Sequence, residues 1–184
     1  MLNEYGLETK FCRMGDEITL RDGARIEGYA SLFGLADQGG DVIAPGAYAK
    51  SLARLKREGR AVRMLWQHDA TQPIGVWEEI VEDGRGLRVK GRILTEVARG
   101  CEAAALIAAG AIDGLSIGYR TVTAEKDARG LRLLREVELW EVSLVTFPML
   151  AEARVAAKGD SPSATALREL AALFEEARRA LAGR

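Results

Sequence analysis

The feature that most limits how this chain can fold is a series of short segments in which apolar and polar residues alternate. Such period-two patterns cover residues 17–20, residues 25–33 and a region that starts at Val62, and they predict half-buried β-strands. Residues 74–81 and 87–94 flank the turn EDGRG and predict a hairpin. Because these strands are short, they favour a closed or nearly closed β-barrel over a parallel α/β sheet.

Two helical segments interrupt the strands. Tyr48, Leu52 and Leu55 follow one another at spacings of four and three and would share one helix face. This spacing predicts a helix over residues 45–59, stopped by a glycine. The small apolar run CEAAALIAAG predicts a second helix over residues 97–109, ended by the glycine that follows. The predicted fold class is therefore mainly β with helices (α+β): a β-barrel flanked by helices.

The end of the chain divides into a last strand and a tail. The stretch LREVELWEVSLVTF predicts a strand ended by Pro148, with both faces buried between Val142 and Phe147. The composition AAKGDSPS then predicts a linker. Five apolar residues recur beyond it at spacings of 3, 4, 3 and 4: Leu167, Leu170, Phe174, Ala177 and Leu181. We thus predict a barrel domain over residues 1–157, and a linker with a C-terminal amphipathic helix over residues 158–184.

Composition excludes several classes of function. The chain has 26 Lys and Arg against 27 Asp and Glu, and its formal net charge is −1, so non-specific nucleic-acid binding is disfavoured. One histidine nearly excludes an imidazole-based zinc site, and we expect neither metal nor cofactor. No run approaches the roughly 18 apolar residues of a membrane span. Cys12 and Cys101 lie far apart, so we expect reduced thiols in a soluble intracellular protein.

A serine hydrolase needs a base, and His68 is the one histidine of the chain. In a regular strand from Val62 it would point to the same side as Met64 and Trp66, and Asp69 would point to the other. A packed structural imidazole is the alternative interpretation of His68. Two of the six serines are of interest as nucleophiles. Ser116 lies in GLSIGY between two glycines, whereas Ser143 lies in a strand predicted to be buried.

Glu141 is a second candidate for chemistry. In a regular strand it would align with Leu139 and Val145 on an apolar face, where an unpaired carboxylate is costly. It therefore needs a cationic partner, such as an imidazolium formed during catalysis. An arginine salt bridge would satisfy it equally, and Ser116 could be an ordinary turn residue.

An ordered set of motifs resembles a known family. GYASLFG, GDVI-x-PGAY, LWQHD followed by PIG, GLRVKGRI, LIAAGAIDGLSIGY and LWEVSLVTFPML succeed one another over roughly residues 25–155. This order is similar to that of the prohead (capsid maturation) proteases of tailed bacteriophages with HK97-like capsids, including prophage and gene transfer agent members. The resemblance implies a serine endopeptidase whose β-barrel fold is similar to that of the herpesvirus assembly proteases.

The resemblance also implies roles for three residues. By motif, Ser116 matches the nucleophile and His68 the general base, and Glu141 falls where the third member belongs. The herpesvirus relatives use a second histidine there, and this chain has none. Rivals for the third role stay open, as do the oxyanion donors, which are backbone N–H groups near Ser116 or a side chain. The rivals are Asp41, Asp69 and Asp113, and the candidate side-chain donor is Arg154.

The implied biology is cleavage of the scaffolding segment or domain of the major capsid protein during prohead maturation, with possible self-cleavage. The expected partners are the capsid protein and its scaffolding segment, with possible self-association, but no nucleic acid or membrane. The expected location is the cytoplasm of the bacterial host, inside the assembling prohead. The alternatives are a non-catalytic capsid assembly or scaffold factor with the protease fold, and a different hydrolase that uses Ser143 or Cys101.

Overall fold

The structure, a computed structural model, describes residues 7–11, 19–21, 24–37 and 39–146. These ranges hold nine strands and two helices. In chain order they are β1 (Glu8–Phe11), β2 (Thr19–Arg21), β3 (Arg25–Leu32), β4 (Asp41–Ile43), α1 (Ala49–Arg57), β5 (Arg63–Trp66), β6 (Asp69–Glu82), β7 (Gly86–Ile93), α2 (Ala98–Ala108), β8 (Gly114–Lys126) and β9 (Arg132–Val145).

The strands form one curled sheet. Its order is β1-β8-β9-β5-β6-β7-β3-β2, and β4 also pairs with β9. Across the curl, β3 contacts β8 and β1, so the two ends of the sheet approach each other. Between the described residues of β1 and β2 no ladder closes the ring. The described residues thus form a nearly closed, curled half-barrel sheet with two helices, which confirms the predicted fold class.

Alternating burial explains why these segments are strands. In β7, the residues Leu87, Val89 and Ile93 are buried and the side chains between them are partly exposed. Each buried apolar side chain removes surface from water, which stabilises the fold by about 25 cal/mol per Å². The two helices cover the sheet, because α1 contacts β9 and β6, and α2 contacts β6 and β7. Tyr48 and Leu55 are buried under α1, as the spacing predicts.

Strand β9 is paired with a neighbouring strand on each side. It pairs with β8 in an antiparallel ladder along its length and with β5 in a parallel ladder from Arg63↔Glu141 to Trp66↔Leu144. Residues 141–145 are all buried, so both faces of this part of the strand are covered, which confirms the prediction for it. The hairpin of β6 and β7 and both helices also lie close to their predicted positions.

One strand prediction is wrong at its end. The strand from Val62 was expected to include His68 and to direct it to the same side as Met64 and Trp66. Instead β5 ends at Trp66, which pairs with Asp69 of β6. Gln67 and His68 form the two-residue turn between them, with φ values of 53° and 63°. Positive φ at both central residues is the geometry of a type I′ hairpin, and period-two alternation stops there.

Several sequence predictions fall outside the described residues. They are the strand stop at Pro148, the linker and helix at residues 158–184, Cys12 and Arg154. Neither α1 nor α2, the helices that the described residues form, is long and apolar enough to span a membrane.

Candidate active site

The turn of Gln67 and His68 is held on the end of β9. The Gln67 amide N–H donates to the carbonyl of Leu144 at 2.9 Å. The Gln67 side chain donates from Nε2 to Thr146 Oγ1 at 2.5 Å and accepts the Thr146 amide N–H at 3.3 Å. A left-handed backbone costs an ordinary residue about 1–2 kcal/mol. These hydrogen bonds offset that cost and fix the hairpin tip beside β9.

The turn delivers the His68 ring to Glu141. His68 Nδ1 lies 2.5 Å from Glu141 Oε1, and the two side chains are 14% and 5% exposed. In the neutral ring this contact places the proton on Nδ1, which donates to the carboxylate, and leaves Nε2 as the acceptor. The buried carboxylate that the sequence predicts to need a cationic partner therefore lies against the imidazole.

Ser143 connects the same two residues in a second way. Its hydroxyl donates to Glu141 Oε2 at 2.5 Å, and its oxygen accepts the His68 amide N–H at 3.3 Å. The side chain is fully buried. Each oxygen of the carboxylate thus has its own donor. Sequence reasoning considered Ser143 only as a nucleophile and missed this role. The signal was the spacing, since residues two apart on a strand share one face.

Ser116 lies on the neighbouring strand, directly opposite Ser143 in the β8–β9 ladder. Directly opposed residues point to the same face of a sheet, with Cβ atoms about 4.5–5.5 Å apart. Ser116, Ser143 and Glu141 therefore share one face, and the turn adds His68 to it. Ser116 is fully buried in this structure. The register thus brings all three residues named from the sequence into one region.

The rival carboxylates have other partners. Asp69 follows His68 in the chain, but its carboxylate accepts hydrogen bonds from the amide and hydroxyl of Thr71 at 2.8 and 2.6 Å. These bonds hold the pKa of Asp69 below its usual value. Asp41 accepts from Tyr119 and Arg132, each at 3.3 Å. The carboxylate that lies against the His68 ring is that of Glu141.

Two further residues weighed from the sequence lie elsewhere in the fold. Asp113 directly precedes β8, on the connection from α2. Cys101 is a free, exposed thiol on α2. The hydrogen-bonded cluster around His68 is built from the β5–β6 turn and β9 instead.

Known proteins are similar to this chain in sequence. A family model described as caudovirus prohead serine protease matches residues 13–167. The prohead protease of Enterobacteria phage HK97 is 33% identical in an alignment 138 residues long, which covers 72% of this chain and 59% of that protein. The chain therefore spans less than two thirds of that relative.

One solved structure shows the same fold, and a second shows a weaker likeness. The capsid assembly protease of bacteriophage T4 matches with a TM-score of 0.61 at 20% identity, over 77% of this chain and 98% of its own. The varicella-zoster virus protease matches with a TM-score of 0.41 at 14% identity, over 71% of this chain and 62% of its own. The T4 match shows that the fold is that of a phage capsid assembly protease. Within that class, the chain belongs to the caudovirus prohead serine protease family, as its motifs predict.

Proposed function

We propose that this protein is a serine endopeptidase that cleaves the scaffolding segment or domain of the major capsid protein, and itself, inside the assembling prohead. The observation that carries the proposal is the buried contact of 2.5 Å between His68 Nδ1 and Glu141 Oε1. It leaves Nε2 of the ring as a base, and Ser116 lies on the same sheet face as Glu141. Membership of a prohead serine protease family supports a capsid protein as the substrate.

In the proposed mechanism Ser116 is the nucleophile. Its Oγ forms a bond to the carbonyl carbon of the scissile peptide, and its proton moves to Nε2 of His68. The C–N bond then breaks as His68 returns that proton to the leaving amine, which leaves an acyl ester on Ser116. A water molecule hydrolyses the ester by the same two proton transfers. The product is a free carboxylate, and both serine and histidine are restored.

Glu141 acts on His68 throughout this cycle. It accepts the Nδ1 proton, which fixes the tautomer and the ring orientation, and its charge stabilises the imidazolium that forms during attack. The pair is largely buried, so water screens this attraction little. Ser143 is a poor candidate for the nucleophile, because its proton is donated to Glu141 on the Nδ1 side of the ring.

A second candidate function is a non-catalytic assembly factor that has kept the protease fold. The observation that favours it is the complete burial of Ser116 in this conformation, because a peptide carbonyl must reach the nucleophile. For the enzyme, the same burial implies a latent state that opens when substrate or assembly partners bind.

Co-expression with the cognate major capsid protein tests the proposal. The wild type should shorten the capsid protein at its scaffolding segment, which mass spectrometry of the product reads directly. Ser116→Ala should leave the capsid protein at full length. Ser143→Ala should still cleave it, but more slowly than the wild type does. An uncut capsid protein with the wild type would favour the assembly factor.

Covalent labelling separates the possible nucleophiles. A serine-reactive phosphonate should label the wild type and Ser143→Ala, but not Ser116→Ala. Label on Ser116→Ala would assign the nucleophile to another residue. Cys101→Ala controls for the exposed thiol and should label as the wild type does.

A further inference from the structure

We infer that Ser143 is a positioning residue that sets the tautomer and orientation of His68 through both the backbone and the carboxylate. The inference rests on the proposed function, since it assigns a fourth participant to the same site. The Ser143 hydroxyl contacts both His68 and Glu141.

The hydrogen-bonding capacity of this hydroxyl is used in a defined direction. A serine hydroxyl has one proton to donate, and Ser143 donates it to Glu141 Oε2 at 2.5 Å. One of its lone pairs accepts the amide N–H of His68 at 3.3 Å. The group therefore joins the backbone of the base to the carboxylate that holds the ring of the base.

This arrangement closes a ring of contacts. The His68 amide donates to Ser143 Oγ, and the Ser143 hydroxyl donates to Glu141 Oε2. The other oxygen of that carboxylate, Oε1, contacts Nδ1 of the same His68. Rotation of the carboxylate would break the bond from Ser143, and movement of the turn would break the bond from the His68 amide. Small networks of this kind hold groups more firmly than separate bonds do.

Removal of the hydroxyl has two local consequences. Glu141 Oε2 loses its hydrogen-bond donor in a buried site. The carboxylate can then rotate, which weakens the hydrogen bond that Oε1 accepts from Nδ1 of His68. The His68 amide loses its acceptor, so the left-handed turn at φ 63° is held less firmly. Both changes make the Nε2–H tautomer more accessible, and that tautomer cannot accept the proton of the nucleophile.

The tautomer can be observed directly, because His68 is the only histidine of the chain. In the untagged full-length protein, long-range ¹H–¹⁵N correlation spectra contain one imidazole. The wild type should show a neutral ring protonated at Nδ1. Ser143→Ala should show a measurable Nε2–H population, and kcat should fall by roughly 10- to 100-fold with KM within about twofold.

Two further variants guard against a merely structural effect. Ser143→Cys keeps the size with a weak donor and should lie between alanine and wild type in both readouts. Ser51→Ala is the matched control. Ser51 is also buried, and its hydroxyl oxygen accepts the Leu139 amide of the same strand β9 at 2.9 Å. This control should lower the melting temperature comparably but leave the tautomer and kcat unchanged.

The outcomes are distinct. A wild-type tautomer and wild-type kcat in Ser143→Ala would overturn the inference, as would an equal tautomer shift in Ser51→Ala. Full activity of Ser116→Ala would instead refute the proposed mechanism, whatever the tautomer of Ser143→Ala.

Discussion

Gly118 lies directly opposite Glu141 in the β8–β9 ladder, and the Glu141 carboxylate occupies the space that a side chain at position 118 would need. A Cβ added at Gly118 would overlap Oε1, Cδ and Cγ of Glu141. The second glycine of GLSIGY therefore makes room for the carboxylate on the strand that also carries Ser116.

Gly118→Ala should impair catalysis more than folding. The new methyl group displaces a carboxylate that His68 and Ser143 hold from the other side, so kcat should fall by roughly 100-fold, as expected for a misplaced catalytic group. Rates of capsid-peptide cleavage and thermal melting measure the two effects separately.

Gly86→Ala is the control for Gly118→Ala. A Cβ there would overlap the carbonyl oxygen of Ser31, which is backbone and cannot turn away. The protein should lose about 1–3 kcal/mol of stability and keep its kcat at a temperature where it is folded. Equal losses of kcat in both variants would contradict the role given to Gly118.

Glu141→Gln should lower kcat by roughly 10²- to 10⁴-fold, because the charge that stabilises the imidazolium is lost while the shape is kept. Steady-state kinetics on a capsid-derived peptide give the value. Glu138→Gln provides the comparison on the same strand, since Glu138 is a partly buried carboxylate that pairs with Arg54 and not with His68. Its kcat should stay within about twofold of the wild type. A Glu141→Gln enzyme as active as Glu138→Gln would remove Glu141 from the mechanism.

Gln67→Ala should loosen the turn that carries His68. The variant loses both hydrogen bonds between the Gln67 side chain and Thr146, at a cost of about 1 kcal/mol, and kcat should decrease by roughly 10-fold. Thr146→Val removes the hydroxyl of the same contact. The double variant should be less impaired than the sum of the two single variants, and simple additivity would show that the contact does not hold the turn.

Glu8 gives a prediction about pH and stability. Burial by itself raises the pKa of Glu8, but hydrogen bonds from Thr121 and Arg132 outweigh it and leave the pKa lowered. The folded state therefore holds the Glu8 proton less tightly than the unfolded chain. The stabilisation is present above the usual glutamate value of about 4.3 and is lost as pH falls through the lowered pKa.

The melting temperature of Glu8→Gln should therefore lie below that of the wild type at neutral pH, with a difference that shrinks below about pH 4. In an Arg132→Met background, which lacks the ion pair to Glu8 at 2.6 Å, the difference at neutral pH should be smaller, because only the hydrogen bonds from Thr121 remain. A constant difference across the range would mean that the charge of Glu8 is not responsible.

Much of the architecture could be predicted because it is local. Alternation in β7, the helix spacing around Leu55 and the apolar run of β9 each reflect burial that a segment carries in its own residues. Glu141 could be predicted as a buried carboxylate in need of a partner for the same reason.

What could not be predicted depends on register between distant segments. The opposition of Ser116 to Ser143, and of Gly118 to Glu141, is a property of the β8–β9 ladder. The left-handed turn was missed because Gln67 and His68 are not the Asn-Gly or Asp-Gly pair that usually signals a two-residue hairpin. Hydrogen bonds to the end of β9 hold that turn, whereas the conformational preferences of its own residues do not favour it.

The two halves of the site differ in how they resist heat. The carboxylate and both serines lie on strands that are paired on either side, and central strands open only at free energies near that of global unfolding. His68, the proposed general base, lies at a hairpin tip, and tips open at lower cost. Thermal inactivation should therefore begin, reversibly, below the melting transition, and amide exchange should show the β5–β6 tip opening while the centre of β9 stays protected.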